Sequence, residues 1–344
     1  MTEPQSAEPD TTPLLDVKDL SVAFRTRDGV ARAVTDVSFT LHKRETMAIL
    51  GESGSGKSVT AQAIMGILES PPAQTPTGEV RYRGTDLLIL PEDERRTYRG
   101  EKIAMIFQDA LSSLNPVFTV GGQIAEMFRV HRGLSRKEAT EKAIELMERV
   151  RIPAARDRVK SYPHEFSGGM RQRIMIAMAL ALDPSVVIAD EPTTALDVTV
   201  QAQIMELLAE LQQEFDMGLI LITHDLGVVA DVADHIMVMY AGRVVEKAAV
   251  TDLYSAPAHP YTQGLLASVP QLGSRAGTLA SIRGLPPNLT RIPPGCAFAR
   301  RCPMAKIVCY SDPPPPLREV APGRQSACHF AEEVLSGRRL AFQR

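Results

Sequence analysis

Residues 51–58 read Gly-Glu-Ser-Gly-Ser-Gly-Lys-Ser. Glycines at this spacing let successive backbone N–H groups turn inward around phosphate oxygens. Lys57 would reach the β- and γ-phosphates of a bound nucleotide, and Ser58 would ligate Mg²⁺. The run Gly51, Glu52, Ser53, Gly54, Ser55, Gly56, Lys57, Ser58 and Val59 is therefore a candidate triphosphate cradle, with the dipole of the following helix aimed at the anion. Farther along, Val186-Val187-Ile188-Ala189-Asp190 is an apolar run ending in a carboxylate suited to the same Mg²⁺. Its neighbour Glu191 could polarise an attacking water. Alone, an Asp-Glu pair at a strand end is commonly a solvated turn; downstream of a phosphate loop it reads as catalytic. A third block, Ser167-Gly168-Gly169-Met170, opens a helix, so its N–H groups and dipole form a second anion receptor. One chain can hardly fold both receptors onto one γ-phosphate.

Positioning these groups requires a layered framework. Between residues 14 and 50 the apolar pattern reads as short strands separated by turns, with Arg27-Asp28-Gly29 at one of them. Met47–Leu50 is a buried strand feeding the glycine-rich loop. Val59–Leu68 has helical spacing and stops before Pro71-Pro72. Residues 109–165 read as a separate helical insert: Ser135-Arg136-Lys137-Glu138 is a capping box, and Ala139, Ala143, Met147 and Val150 recur at helical spacing. Helices over 169–182 and 200–214 then alternate with strands over 186–189, 219–223 and 236–240, which predicts an α/β fold with a mainly parallel sheet.

The chain has 344 residues, 44% hydrophobic, and a net charge of −3, so no basic field invites nucleic acid. Residues 1–13 are polar and acidic and read as a disordered tail. The longest wholly apolar run, Ile174–Leu182, falls far short of the roughly 20 residues of a spanning helix, so the chain reads as soluble and cytosolic. Its Ile174–Met178 face reads as core packing. His42, His131, His164 and His235 show no ligand spacing, and Arg95, Arg96 and Arg99 read as solvated surface. After Val250, prolines punctuate a segment that reads as irregular, and all four cysteines lie there: Cys296, Cys302, Cys309 and Cys328, spaced C-x₅-C-x₆-C-x₁₈-C. This matches neither a zinc-finger pair nor a ferredoxin run. Nearby Arg300, Arg301, Lys306 and Arg324 would favour thiolates.

Over residues 14–250 these blocks resemble the nucleotide-binding subunits of ABC transporters. The family signature is Ser167-Gly168-Gly169, with Phe166 and Met170 where many members have Leu and Gln. The resemblance implies a P-loop ATPase core with an N-terminal antiparallel β-subdomain and the helical insert at 109–165, where the family docks its permease. Gln108 matches the glutamine that senses Mg²⁺ and the membrane partner, Ala195-Leu196-Asp197 the D-loop, His224 the switch histidine, and Phe24 the aromatic that stacks on adenine. It further implies a head-to-tail dimer of identical or paralogous ATPases, with ATP between the phosphate loop of one subunit and the signature of the other. In that dimer Glu191, His224 and Lys57 act on the γ-phosphate, and Ser58, Gln108 and Asp190 hold Mg²⁺.

The tail over residues 251–344 sharpens the resemblance. His259-Pro260-Tyr261-Thr262-Gln263-Gly264-Leu265-Leu266 and Arg301-Cys302-Pro303 are similar to the C-terminal extension of dipeptide and oligopeptide transporter ATPases. Some members of that branch carry a [4Fe–4S] cluster on four cysteines, which the resemblance extends to Cys296, Cys302, Cys309 and Cys328, with zinc or metal-free structural thiols as the alternatives and His329 as a spare ligand. The function implied is energy coupling for a peptide importer at the cytoplasmic face of the inner membrane, with two permease subunits and a substrate-binding protein. Nickel or another small solute is an alternative cargo. A soluble ABC ATPase acting on DNA or ribosomes is the reading from another class.

Overall fold

A computed structural model describes residues 12–194, 196–268, 282–311 and 313–337. The disordered tail expected at 1–13 falls almost wholly outside them, as does Ala195. A long hairpin opens the fold, β1 (Leu15–Thr26) and β2 (Gly29–Leu41), with bulges that bend it. The expected short strands are thus two long ones: apolar residues on one face continue through the bulges, which a strict alternation rule counts as breaks. β3 (Thr46–Leu50) crosses to a second sheet and feeds helix α1 (Lys57–Met65). β4 (Thr77–Tyr82) and β5 (Thr85–Asp86) return to the first, giving a four-stranded antiparallel sheet in the order β2-β1-β4-β5.

The main sheet takes β6 (Ile103–Ile106), β7 (Val186–Asp190), β8 (Gly218–Ile222), β9 (His235–Tyr240) and β10 (Arg243–Ala249). β9, β3, β8, β7 and β6 run parallel as neighbours. Side chains of these strands alternate between two cores, as the two-residue period requires. Ala48, Leu50, Val187, Ala189, Leu219 and Leu221 face the helical insert, while Met47, Ile49, Val186, Ile188, Ile220 and Ile222 face α1 and the small sheet. Coverage on both faces explains why these strands read as unbroken apolar runs.

The insert contributes α2 (Val120–Arg132) and α3 (Arg136–Arg149). The Ser135–Glu138 capping box forms, and Ala139, Ala143, Met147 and Val150 are all fully buried. α4 (Gly168–Leu180) and α5 (Val198–Glu214) follow, then α6 (Leu226–Val232) and α7 (Pro260–Ala267). The tail is not wholly irregular: β11 (Arg318–Ala321) and β12 (Arg324–Ser326) form a hairpin that extends the main sheet beyond β10. The four prolines at 313–316 precede this hairpin rather than interrupt it. Arg99 also departs from expectation. Its guanidinium donates to the carbonyls of Met65 and Gly66 at 2.8 and 2.7 Å and pairs with Glu92 at 2.6 Å, closing the carboxyl end of α1.

Candidate functional site

The loops leaving the carboxyl ends of β3, β6, β7 and β8 meet at one edge of the main sheet, the usual position of a ligand crevice in a parallel α/β sheet. They enclose a cleft of about 490 Å³ lined by Glu52, Ser53, Gly54, Gly56, Lys57, Ser58, Val59, Gln108, Glu191 and His224. At Gly51, φ is 154° and a Cβ would meet the Met239 carbonyl at 2.3 Å; at Gly56, φ is 106° and a Cβ would lie 2.4 Å from the Ala33 carbonyl. The phosphate loop is therefore pressed onto the backbones of β9 and β2, and only glycine fits at either position. Ser55 is buried beneath it, its hydroxyl without a partner among the described residues.

Lys57 is 6% exposed. Its ammonium donates to the carbonyls of Gly51 at 2.8 Å and Glu52 at 3.2 Å, folded back over its own loop. Burial pushes its pKa down, against the pull of Glu191, Asp190 and Glu52. The Ser58 hydroxyl donates to Asp190 Oδ1 at 3.0 Å. Burial raises the Asp190 pKa, the Ser58 hydrogen bond opposes the rise, and the Glu191 charge adds to it. Two hard oxygen donors side by side at the mouth of a phosphate loop fit Mg²⁺, which takes one or two protein oxygens and completes its shell with phosphates and water.

Glu191 follows β7 at a left-handed φ of 46°. Its carboxylate accepts from Gln108 Nε2 at 2.8 Å and from the Thr194 hydroxyl at 2.9 Å, and His224 Nδ1 lies 3.4 Å away. Thr194 escaped the sequence reading because a threonine three residues past a carboxylate carries no distinctive spacing. Phe24 is half-buried on β1 against the small-sheet core and does not line the cleft.

The second anion receptor stands apart. Ser167 is the N-cap of α4, its hydroxyl accepting from the Met170 amide, and Ser167 and Gly168 are exposed outside the cleft. Phe166 is 2% exposed with Arg158 over its ring, which gives the aromatic at this position a packing reason. Asp197 caps α5, accepting from the Val200 amide at 3.0 Å, and likewise does not line the cleft.

Residues 34–194 match the family described as ABC transporter, and residues 245–309 match the oligopeptide/dipeptide transporter C-terminal region. The chain is 52% identical over 322 residues to the oligopeptide transport ATP-binding protein OppD of Salmonella typhimurium, covering 94% of this chain and 95% of that one. With OppD of Bacillus subtilis it shares 53% over 305 residues, 88% of this chain and 85% of the relative. The chain belongs to the ATP-binding subunits of ABC transporters. Among solved folds it matches the dimeric bacterial ABC transporter cassette MJ0796 with a TM-score of 0.61 and 28% identity, covering 69% of this chain and 98% of that one. The reaction of such an ABC cassette is ATP hydrolysis, and ATP with Mg²⁺ is what the cleft is built to take.

The cysteine segment of this ABC chain carries no metal-ligating group among the described residues. Burial pushes the Cys302 and Cys328 thiols up to about 12 and raises Cys296 as well. Three of the four cations expected to favour thiolates are engaged elsewhere: Arg301 with Glu52, Lys306 with Glu333, Arg324 with the Ala256 carbonyl. Cys296 donates its amide to the Cys309 carbonyl at 2.9 Å, so the segment folds on itself. All four thiols are free, and among the described residues no three Cys, His, Asp or Glu side chains, His329 included, gather as a metal-ligating group. The four thiols nonetheless lie within electrostatic reach of one another, Cys328 facing Cys302, Cys296 and Cys309, and Cys302 facing Cys296 and Cys309.

What sequence reasoning passed over is the tail's hold on the phosphate loop. The Arg301 guanidinium grips the Glu52 carboxylate with two hydrogen bonds, 2.6 and 2.9 Å, and the Tyr261 hydroxyl accepts from the Glu52 amide at 2.8 Å. Both residues stand in the two tail segments quoted for their resemblance, but nothing in their spacing points back to residue 52.

Proposed function

We propose that this ABC ATPase is the energy-coupling subunit of an importer of di- or oligopeptides, held peripherally at the cytoplasmic face of the inner membrane. The observation that carries the chemistry is Glu191, a carboxylate beside the phosphate loop held by Gln108 and Thr194 and faced by His224. Water attacks the γ-phosphate in line; Glu191 orients that water and accepts its proton, Lys57 neutralises developing charge, and His224 senses the γ-phosphate. Ser58, Asp190 and Gln108 would hold Mg²⁺, which when bound supplies further charge neutralisation on the phosphate oxygens. Phe24 stacks on the adenine.

Ser167 and Gly168, exposed at the start of a thirteen-residue helix, complete together with Gly169 and Met170 the ATP site of a neighbouring subunit, and Asp197 lies at the same contact. Their place outside their own cleft supports this head-to-tail pairing, which by the family resemblance joins two paralogous ATPases. ATP binding closes the pair, and hydrolysis with product release reopens it. An apolar groove of about 220 Å³, lined by Met65, Ile67, Phe107, Met127, Met175 and Met178, runs between the core and the insert next to Gln108. It supports docking of the permease on this face, with the substrate-binding protein engaged indirectly.

Peptide cargo rests on the named relatives and on the matched C-terminal region. Purification of the intact complex and peptide uptake in a deletion strain test it. Two integral membrane subunits in the complex and loss of peptide uptake are expected; recovery with nucleic acid and no membrane subunit would refute transport. By the family resemblance, Cys296, Cys302, Cys309 and Cys328 would hold a [4Fe–4S] cluster, with zinc as the alternative; iron or zinc bound stoichiometrically after anaerobic purification is expected, and a metal-free protein would refute both.

A further inference from the structure

Glu52 is the second residue of the phosphate loop, and the C-terminal extension holds it at two points. Arg301, with a side chain only 6% exposed, binds both Glu52 carboxylate oxygens, while Tyr261 on α7 accepts the Glu52 amide hydrogen. The Arg301 guanidinium is itself anchored, donating to the carbonyls of Ile282 at 3.2 Å and Arg283 at 3.1 Å and to the Tyr240 hydroxyl at 3.3 Å. Behind it Tyr240, Tyr261 and Phe298 pack ring to ring, with centroids 4.7, 5.2 and 5.3 Å apart, joining the last residue of β9 to α7 and to the cysteine segment.

A loop with glycines at 51, 54 and 56 has backbone freedom to lose when it closes on phosphate. A bidentate guanidinium–carboxylate pair fixes both distance and plane, which a single hydrogen bond does not. We propose that Arg301 and Tyr261 are positioning residues for ATP: through Glu52 they hold the phosphate loop open in its binding shape, so the C-terminal extension tunes nucleotide affinity. The proposal deepens the ATPase reading and rests on it. Neither residue itself lines the nucleotide cleft; both act through Glu52, which does.

The test uses the full chain, Mg²⁺ and a fluorescent ATP analogue, with chemical denaturation of the same samples. Arg301→Ala and Arg301→Lys are each expected to raise the analogue Kd roughly tenfold, since Lys keeps the charge but loses the planar fork. Glu52→Gln, at a partly exposed position, should do the same, and the Glu52→Gln/Arg301→Lys double variant should be no weaker than either single, the mark of one shared interaction. For the Arg301 variants the steady-state signature in turnover assays is a raised KM with a nearly unchanged kcat, because chemistry at Glu191 is untouched. Wild-type affinity in all three variants, or additive losses in the double variant, overturns the proposal while leaving the ATPase reading standing. A wild-type chain that does not bind the analogue overturns the ATPase reading itself. If Arg301→Ala does not fold, Arg301→Lys and Glu52→Gln decide the matter.

Discussion

Glu191 occupies the left-handed backbone region at φ 46°, where a non-glycine residue pays roughly 1–2 kcal/mol. The cost is met by the hydrogen bond from its amide to the Ile222 carbonyl at 2.8 Å and by the two donors on its carboxylate. This conformation turns the side chain off the strand axis and into the cleft, where Asp190, one residue earlier, meets Ser58. Adjacent carboxylates thus point in different directions, as the two tasks proposed for them require. Glu191→Gln keeps the shape and the contact from Thr194 but removes the proton acceptor. ATP binding should persist while hydrolysis falls about 10²–10⁴-fold, read as retained analogue binding with lost phosphate release. Turnover near the wild-type rate would remove Glu191 from this role.

At the level of elements, α1 shows how the helix behind the phosphate loop is kept in place. It has no acidic residue in its first turn and no basic residue in its last, and it ends at Gly66 in the left-handed region. Arg99 arrives from outside the helix to bind the terminal carbonyls, with Glu92 behind it. Arg99→Ala should lower stability by about 1–2 kcal/mol, the scale for charged hydrogen bonds to partly buried acceptors, with ATP affinity nearly unchanged. Urea midpoints at fixed m-value measure it, and a shift indistinguishable from that of Arg96→Ala would deny Arg99 a capping role. The same case marks what the sequence makes legible. Local signals such as the Ser135 capping box, the buried strand before Gly51 and the carboxylate after Ala189 are written in neighbouring residues, and the structure reproduces these elements. Arg99 with Met65, Arg301 with Glu52, and the β11–β12 hairpin on β10 join residues 34, 249 and about 80 positions apart. No periodicity encodes such pairings, which is why Arg99 read as solvated surface, Arg301 as a thiolate partner and the β11–β12 segment as irregular.

On the scale of the whole molecule, the extension and the cassette share one sheet, and the seam between them contains a buried acid. Glu246 on β10 is fully buried, opposite Ser326 of β12, and its carboxylate accepts from the Ala258 and His259 amides at 2.6 and 2.9 Å. His259, equally buried, is pushed down to about 3 by burial and stays neutral, accepting from the Tyr261 amide at 3.0 Å. Burial outweighs the hydrogen bonds at Glu246 and raises its pKa from 4.5 to about 7. Between those two values the folded chain holds a proton that the unfolded chain releases. Glu246 therefore favours folding most below about pH 4.5, and that contribution is lost as pH rises to and through about 7. The slope approaches one proton, about 1.4 kcal/mol per pH unit, inside that window. Urea denaturation from pH 5.5 to 8 should show wild type losing stability relative to Glu246→Gln, whose amide cannot ionise, with the difference levelling off above about pH 7.5. Parallel curves for the two proteins would mean that Glu246 is ionised throughout, held by the two amides. Because α7 begins at those same amides and carries Tyr261 to the phosphate loop, the loss should be accompanied by weaker ATP binding at the alkaline end in wild type and not in Glu246→Gln.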